Sequence, residues 1–264
     1  MRWRVCAIFL GLLAFASAGM ARDAKESIEA DASTRQVAIT SSFTGTEILL
    51  FGTVENSVQS SAGAGTYDIV AVVEGVPAPV IVRKKSRVGG LWINTSSMKF
   101  MPVPSYYAIV STRPIDELAE PALLDANGIG FEHIRMVPRQ TAWKESLDPA
   151  EVASFKEALV RLKERERLYV KSDFGVAFIG RSLFRATVAL PPNVPVGPLT
   201  VSVYLFKEGK LLGQYKSRLT LEREGVERFI HEVALKKSLL YGLLTVAMAT
   251  VAGLAAAFAF PRAM

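Results

Sequence analysis

The residues able to do chemistry are few in this chain. It contains two histidines, His133 and His231, and one cysteine, Cys6. The histidines lie far apart in the sequence, and neither sits in an HExxH string or beside a cysteine cluster, so no zinc ligand set is present. No GxSxG elbow accompanies them, so a histidine-assisted serine mechanism lacks its usual scaffold. Ser96-Ser97-Met98-Lys99 satisfies S-x-x-K, a spacing that on a helix sets a lysine one turn from a serine nucleophile. Here the string falls between β-like runs, without the SDN or KTG strings that complete that chemistry. Gly63-Ala64-Gly65 and Gly89-Gly90 lack the spacing that aims backbone amides at phosphate. The expectation is a protein that is not an enzyme and carries no cofactor and no metal.

Residues suited to binding are more conspicuous. Arg83, Lys84, Lys85 and Arg87 crowd four cations into a strand end. One reading is contact with anionic headgroups or an acidic partner; the competing one is a charged strand edge that blocks sheet-to-sheet aggregation. Trp92, with Pro102, Pro104, Tyr106 and Tyr107, forms an aromatic and proline-rich stretch. Exposed, it would be a recognition surface; buried, it would pack between sheets, as large aromatics do in small sandwiches. The candidate interaction surface is therefore Trp92, Pro104, Tyr106, Tyr107, Arg83, Lys84, Lys85 and Arg87. A second candidate lies near the C-terminus, where Thr245, Ala249, Gly253 and Ala257 recur every four residues. Small side chains on one stripe let helices approach closely, in a homodimer or against another membrane protein.

The elements that must position these residues begin with two apolar segments. From Ser238 to Phe260 there is no charged residue. At 1.5 Å rise per residue this run covers about 34 Å, enough to cross a hydrocarbon core of about 30 Å. At the other end, Arg2 and Arg4 precede a short apolar run and Ala16-Ser17-Ala18, the layout of a cleaved secretory signal. The region between is expected to be exported and then anchored, giving a single-pass protein of a bacterial inner membrane with its main domain in the periplasm. Lys236 and Lys237 flank the anchor on the exported side, against the positive-inside preference, but the signal commits the chain first. Cys6 would leave with the signal, removing any disulfide from the exported part. The formal charge of +6 is only mildly basic and gives no case for nucleic acid.

Between the ends, short runs rich in Val, Ile and aromatics alternate with Gly, Pro, Ser and Asn, as in TEILLFGT, TYDIVAVVE, PVIVRK and the short run Leu91–Asn94. That pattern predicts strands of a sandwich or barrel. VSVYLF, KEGK and LLGQYKSRL read as a hairpin. Asp148-Pro149-Ala150-Glu151 starts a helix with an N-cap and a first-turn proline, followed by Val152, Phe155, Leu159 and Leu162 on one stripe. The resulting expectation is a mainly β chain: immunoglobulin-like sandwich region or regions, a helical insertion and one C-terminal transmembrane helix. Its segments are a signal peptide (1–18), a flexible leader (19–34), a first sandwich part (35–113) and a helical insertion (114–168). A second sandwich part (169–224), a juxtamembrane helix (225–237), the span (238–260) and a cytoplasmic tail (261–264) follow. Whether the two strand groups share one sandwich or form two is open at this point, as is whether 225–237 lies on the membrane or extends the anchor.

The strings VAITSSFTGTEILLFGTVE, YDIVAVVEG, GGLWINTSSMKFMPVPSYYAIVSTRP and LPPNVPVGPLTVSVYLFKEGKLL follow one another in this order. Together they resemble the alphaproteobacterial putative transmembrane protein family. The resemblance implies a signal peptide, an exported β-rich region and one C-terminal span. It carries no catalytic residues. It associates the chain with sulfite-exporter-type permeases, and so implies an accessory role at the membrane. An envelope hydrolase and a small-ligand sensor are the alternatives.

Overall fold

The structure is a computed structural model that describes residues 25–40, 42–139, 148–224 and 233–259. The segment expected to be a signal peptide lies outside the described residues, as do most of the expected juxtamembrane helix and the expected tail. The chain is mainly β, with three sheets among the described residues. The first holds β1 (Ser27–Ala32), β3 (Thr46–Glu55), β11 (Leu183–Leu190) and β10 (Val176–Phe178), in that order. The second runs β2 (Gln36–Ile39), β13 (Lys210–Arg223), β12 (Gly197–Lys207), β4 (Asp68–Glu74), β7 (Tyr107–Ser111) and β9 (Tyr169–Ser172). The third joins β5 (Pro77–Val88), β6 (Leu91–Pro104) and β8 (Val137–Arg139).

Burial explains the layering. In β3 and β11 every second residue is inside: Ile48, Leu50 and Val54 on one strand, Phe184, Ala186, Val188 and Leu190 on the other. Such alternation marks a sheet with one wet face. In contrast, β4 and β7 are buried on both faces, as their unbroken Val, Ile and Ala runs require. One face of this second sheet meets the first, with β1 against β12 and β13 and β11 against β7. The Tyr106 hydroxyl ties the layers by donating to the Ala189 carbonyl at 2.7 Å. The other face carries the helical segment. There the Tyr107 hydroxyl donates to the Gly128 carbonyl (2.9 Å) and accepts from the Gly130 amide (3.0 Å). Phe131 from the same segment closes an aromatic cluster with Tyr107 and Tyr169.

The helical segment includes a 3-10 turn at Ile115–Glu117, α1 (Pro121–Asn127) and α2 (Pro149–Arg165). Gly128 ends α1 in the left-handed region at φ 66°. The Asp148 carboxylate caps α2 by accepting from the Ala150 amide at 3.1 Å. Phe155 and Leu159 bury their side chains, whereas Leu162, expected on the same stripe, is half exposed at the end of the contact.

Two expectations change and one open question closes. Residues 27–32 are not a flexible leader: they form β1, paired with β3 along its length. The two strand groups are not separate units, because β11 pairs with β3 and β12 with β4, so each main sheet takes strands from both. Finally, β6 does not stop after Leu91–Asn94 but runs on to Pro104 against β5, with a register shift between Lys84 and Lys85. The last helix, α3 (Ser238–Ala259), is apolar throughout. Its segment Ser238–Ala256 is long and apolar enough to cross a membrane, and none of it is buried against the rest of the protein.

Candidate functional site

The β5–β6 hairpin divides at the Val82–Met98 pair. Below it, Val82, Met98, Phe100 and Val103 belong to the core. Above it the two strands continue as a ribbon to the Gly89-Gly90 turn, where both glycines take positive φ (57° and 87°) as a tight turn demands. This ribbon exposes what a core would normally hide: Leu91 is 70% exposed, Trp92 68%, Val88 52% and Ile93 45%. Strand alternation sorts its side chains. Arg83, Lys85 and Arg87 share one face, where Arg87 pairs with Trp92 and Ile81 with Lys99. Lys99 in turn pairs with Arg139 of β8, adding two cations to that face. Lys84, Val88, Leu91 and Ile93 take the opposite face.

No acidic residue occurs between Glu74 and Asp116. None of Arg83, Lys84, Lys85, Arg87, Lys99 and Arg139 makes an ion pair among the described residues. Edge protection accounts for cations on β5, the outer strand of its sheet. It does not account for Leu91, Trp92 and Ile93, which would invite the association that edge charges prevent.

The expected surface is thus only partly a surface. Tyr106 and Tyr107 are 0% exposed and Pro104 is buried. They are corrected to core residues, because each tyrosine packs between layers and spends its hydroxyl on backbone. Trp92, Arg83, Lys84, Lys85 and Arg87 remain exposed together on the ribbon. On α3, Thr245 turns its hydroxyl back onto the Tyr241 and Gly242 carbonyls, and among the described residues nothing lies within 4 Å of a Cβ placed at Gly253. Ala249 and Ala257 belong to the same helix.

The serine–lysine string has no catalytic geometry. Ser96 pairs with Lys84 and Lys99 with Ile81, so alternation sends their side chains to opposite faces. His133 is half-buried in the helical segment and its Nδ1 meets the Asp125 carboxylate at 2.5 Å. His231 lies outside the described residues.

A second feature escaped the sequence. A cleft of about 470 Å³ opens where the second sheet, the helical segment and the hairpin base meet. Glu74, Thr200, Tyr204, Gln214 and Lys216 line it from the sheet, Asn127 and Arg135 from the helical segment, and Pro77, Pro102 and Pro104 from the hairpin. Burial raises the pKa of the Glu74 carboxyl, with Lys216 opposing the shift. A carboxylate closing an otherwise apolar strand, as in DIVAVVE, was the available signal, and it is a weak one.

The sequence pattern described as "Putative transmembrane protein (Alph_Pro_TM)" matches residues 27–262. The chain belongs to this family. The match runs from β1 through α3, so the transmembrane protein family spans both the β-rich region and the apolar helix. Comparison with curated proteins finds no match.

Proposed function

We propose that this member of the family is a non-enzymatic binding protein of the bacterial inner membrane. A signal peptide exports its β-rich region to the periplasm, α3 anchors it, and the two facing sheets serve as an immunoglobulin-like scaffold that presents the β5–β6 ribbon. The observation that carries this reading is the ribbon itself. A two-stranded ribbon with both faces in water is marginally stable alone, yet this one holds Trp92, Leu91 and Ile93 in solvent beside cations that make no ion pair among the described residues. Such a surface gains most when something covers it. The anchor would keep it at high local concentration near any partner in or on the membrane. The resemblance brings in a sulfite-exporter-type permease as one partner. The Thr245, Ala249, Gly253 and Ala257 stripe offers α3 a contact with such a protein or with a second copy.

The test is a photoreactive residue placed at Trp92 in the intact protein within native membranes, with the same residue at Leu49 as control. Leu49 is exposed on the wet face of the first sheet. Adducts from position 92 and none from position 49 are expected. No adduct from either, together with turnover of an envelope ester by the purified monomer, would replace this reading with a hydrolase. The Glu74 cleft gives a small-ligand module as the second reading, because its volume suits a small molecule and polar groups converge on it.

A further inference from the structure

We infer that the surface covering the β5–β6 ribbon is the anionic lipid headgroup layer of the bilayer in which α3 sits. The inference rests on the ribbon being the contact surface, and it names the partner. Three observations favour lipid. The first is the arrangement of charge: Arg83, Lys85 and Arg87 stand on one face at every second residue, continued by Lys99 and Arg139, with no acidic side chain on either strand. A positive patch calls for a negative counterpart, and an evenly spaced array of one sign suits the uniform field of phosphates that a bilayer presents.

The second is the position of the apolar groups. Val88, Leu91, Trp92 and Ile93 cluster at the turn end of the ribbon, Arg87 stands level with Trp92, and Lys85, Arg83 and Lys99 follow in turn toward the base. That gradient matches the interface of a bilayer, where a tryptophan and aliphatic tips sit among headgroups and cations meet phosphate above them. The third is reach. The ribbon extends roughly 20 Å beyond the Val82–Met98 pair. The chain between Arg223 at the end of β13 and Ser238 at the start of α3 spans at most about 50 Å even when fully extended. The ribbon is therefore held close to a bilayer from which it never diffuses away, and weak attraction per cation is enough to seat it.

The experiment uses the processed chain from Gly19 onward, anchor included, which without Cys6 has no native thiol, and Leu91→Cys carries an environment-sensitive fluorophore. It is reconstituted into vesicles of phosphatidylcholine alone, or of two parts phosphatidylcholine to one part phosphatidylglycerol. Nitroxide lipids labelled near the headgroup act as quenchers. A blue-shifted, quenched label is expected in the anionic vesicles and a water-exposed one in the neutral vesicles. Raising salt until the Debye length falls to about 3 Å should release the tip. Replacing Arg83, Lys85 and Arg87 together by Glu should weaken seating by roughly 100-fold or more. These side chains are exposed, so an unchanged melting temperature checks that the variant is folded.

A label that stays water-exposed in anionic vesicles overturns the lipid assignment, as does equal quenching in both lipid mixtures. A protein adduct from position 92 in native membranes, with no seating on vesicles, would keep the ribbon as the contact surface and make its partner a protein. Absence of both removes the ribbon's role altogether.

Discussion

Glu74 ends β4 with its carboxyl in a cleft, where burial raises its pKa above the ordinary 4.5. The folded protein therefore holds this proton more tightly than the unfolded chain does. Stability from this group is full below about pH 4.5, falls as pH rises toward the folded value, and stays lower above it. Glu74→Gln, neutral throughout, should be more stable than the parent at pH 7 and flatten the decline between acid and neutral pH in urea titrations. An unchanged slope would mean that the carboxyl is solvated in solution. The same residue shows what a sequence conveys and what it hides. Trp92, Tyr106 and Tyr107 belong to one aromatic stretch, and residue type cannot separate them. Burial was decided by distance from the turn: Trp92 lies beyond the last core pair of the ribbon, while Tyr107 sits in a strand covered on both faces. The cations were legible because a run of like charge is costly to bury. Glu74 was not, since one carboxylate at a strand end is ordinary until a cleft forms around it.

At the scale of elements, local signals were legible wherever chemistry dictated backbone. The Asp148 cap, the Gly128 terminator and Gly209 at φ 77° in the turn between β12 and β13 follow from residue type, whereas Glu208 at φ 49° is held in the left-handed region by the hairpin around it. β1 was missed because Ile28, Ala30 and Ala32 alternate with charged or polar residues too weakly to stand out. The far half of β6 was missed because serine and proline dilute its strand character. Pairing with a neighbour supplies what propensity lacks in both. Gly52 on β3 shows how closely such neighbours approach. A Cβ there would meet the Glu29 carbonyl at 2.2 Å and the Phe184 ring at 2.6 Å. Gly52→Ala should therefore cost about 1–3 kcal/mol or more through overpacking. A drop in melting temperature with the ribbon label unaffected would place the damage in the first sheet. A neutral result would require β1 to shift away.

For the whole molecule, the decisive feature is that both main sheets mix early and late strands. β3 is completed by β11 and β4 by β12, and no local pattern in the sequence announces either pairing. The helical segment lies between the groups in the chain and over the second sheet in space. A chain ending at residue 168 lacks β9 to β13 and keeps only fragments of each sheet. It should show no cooperative melting by circular dichroism, whereas the full chain melts as one unit. Two independent transitions in the full chain would contradict the shared core. The pairing also has a consequence for how the protein is made. β4, with its run of Ile, Val and Ala, leaves the ribosome long before β12 exists to cover its edge. Through that interval it is an adhesive strand in search of any companion, so the unfinished polypeptide is more prone to aggregate than the completed one.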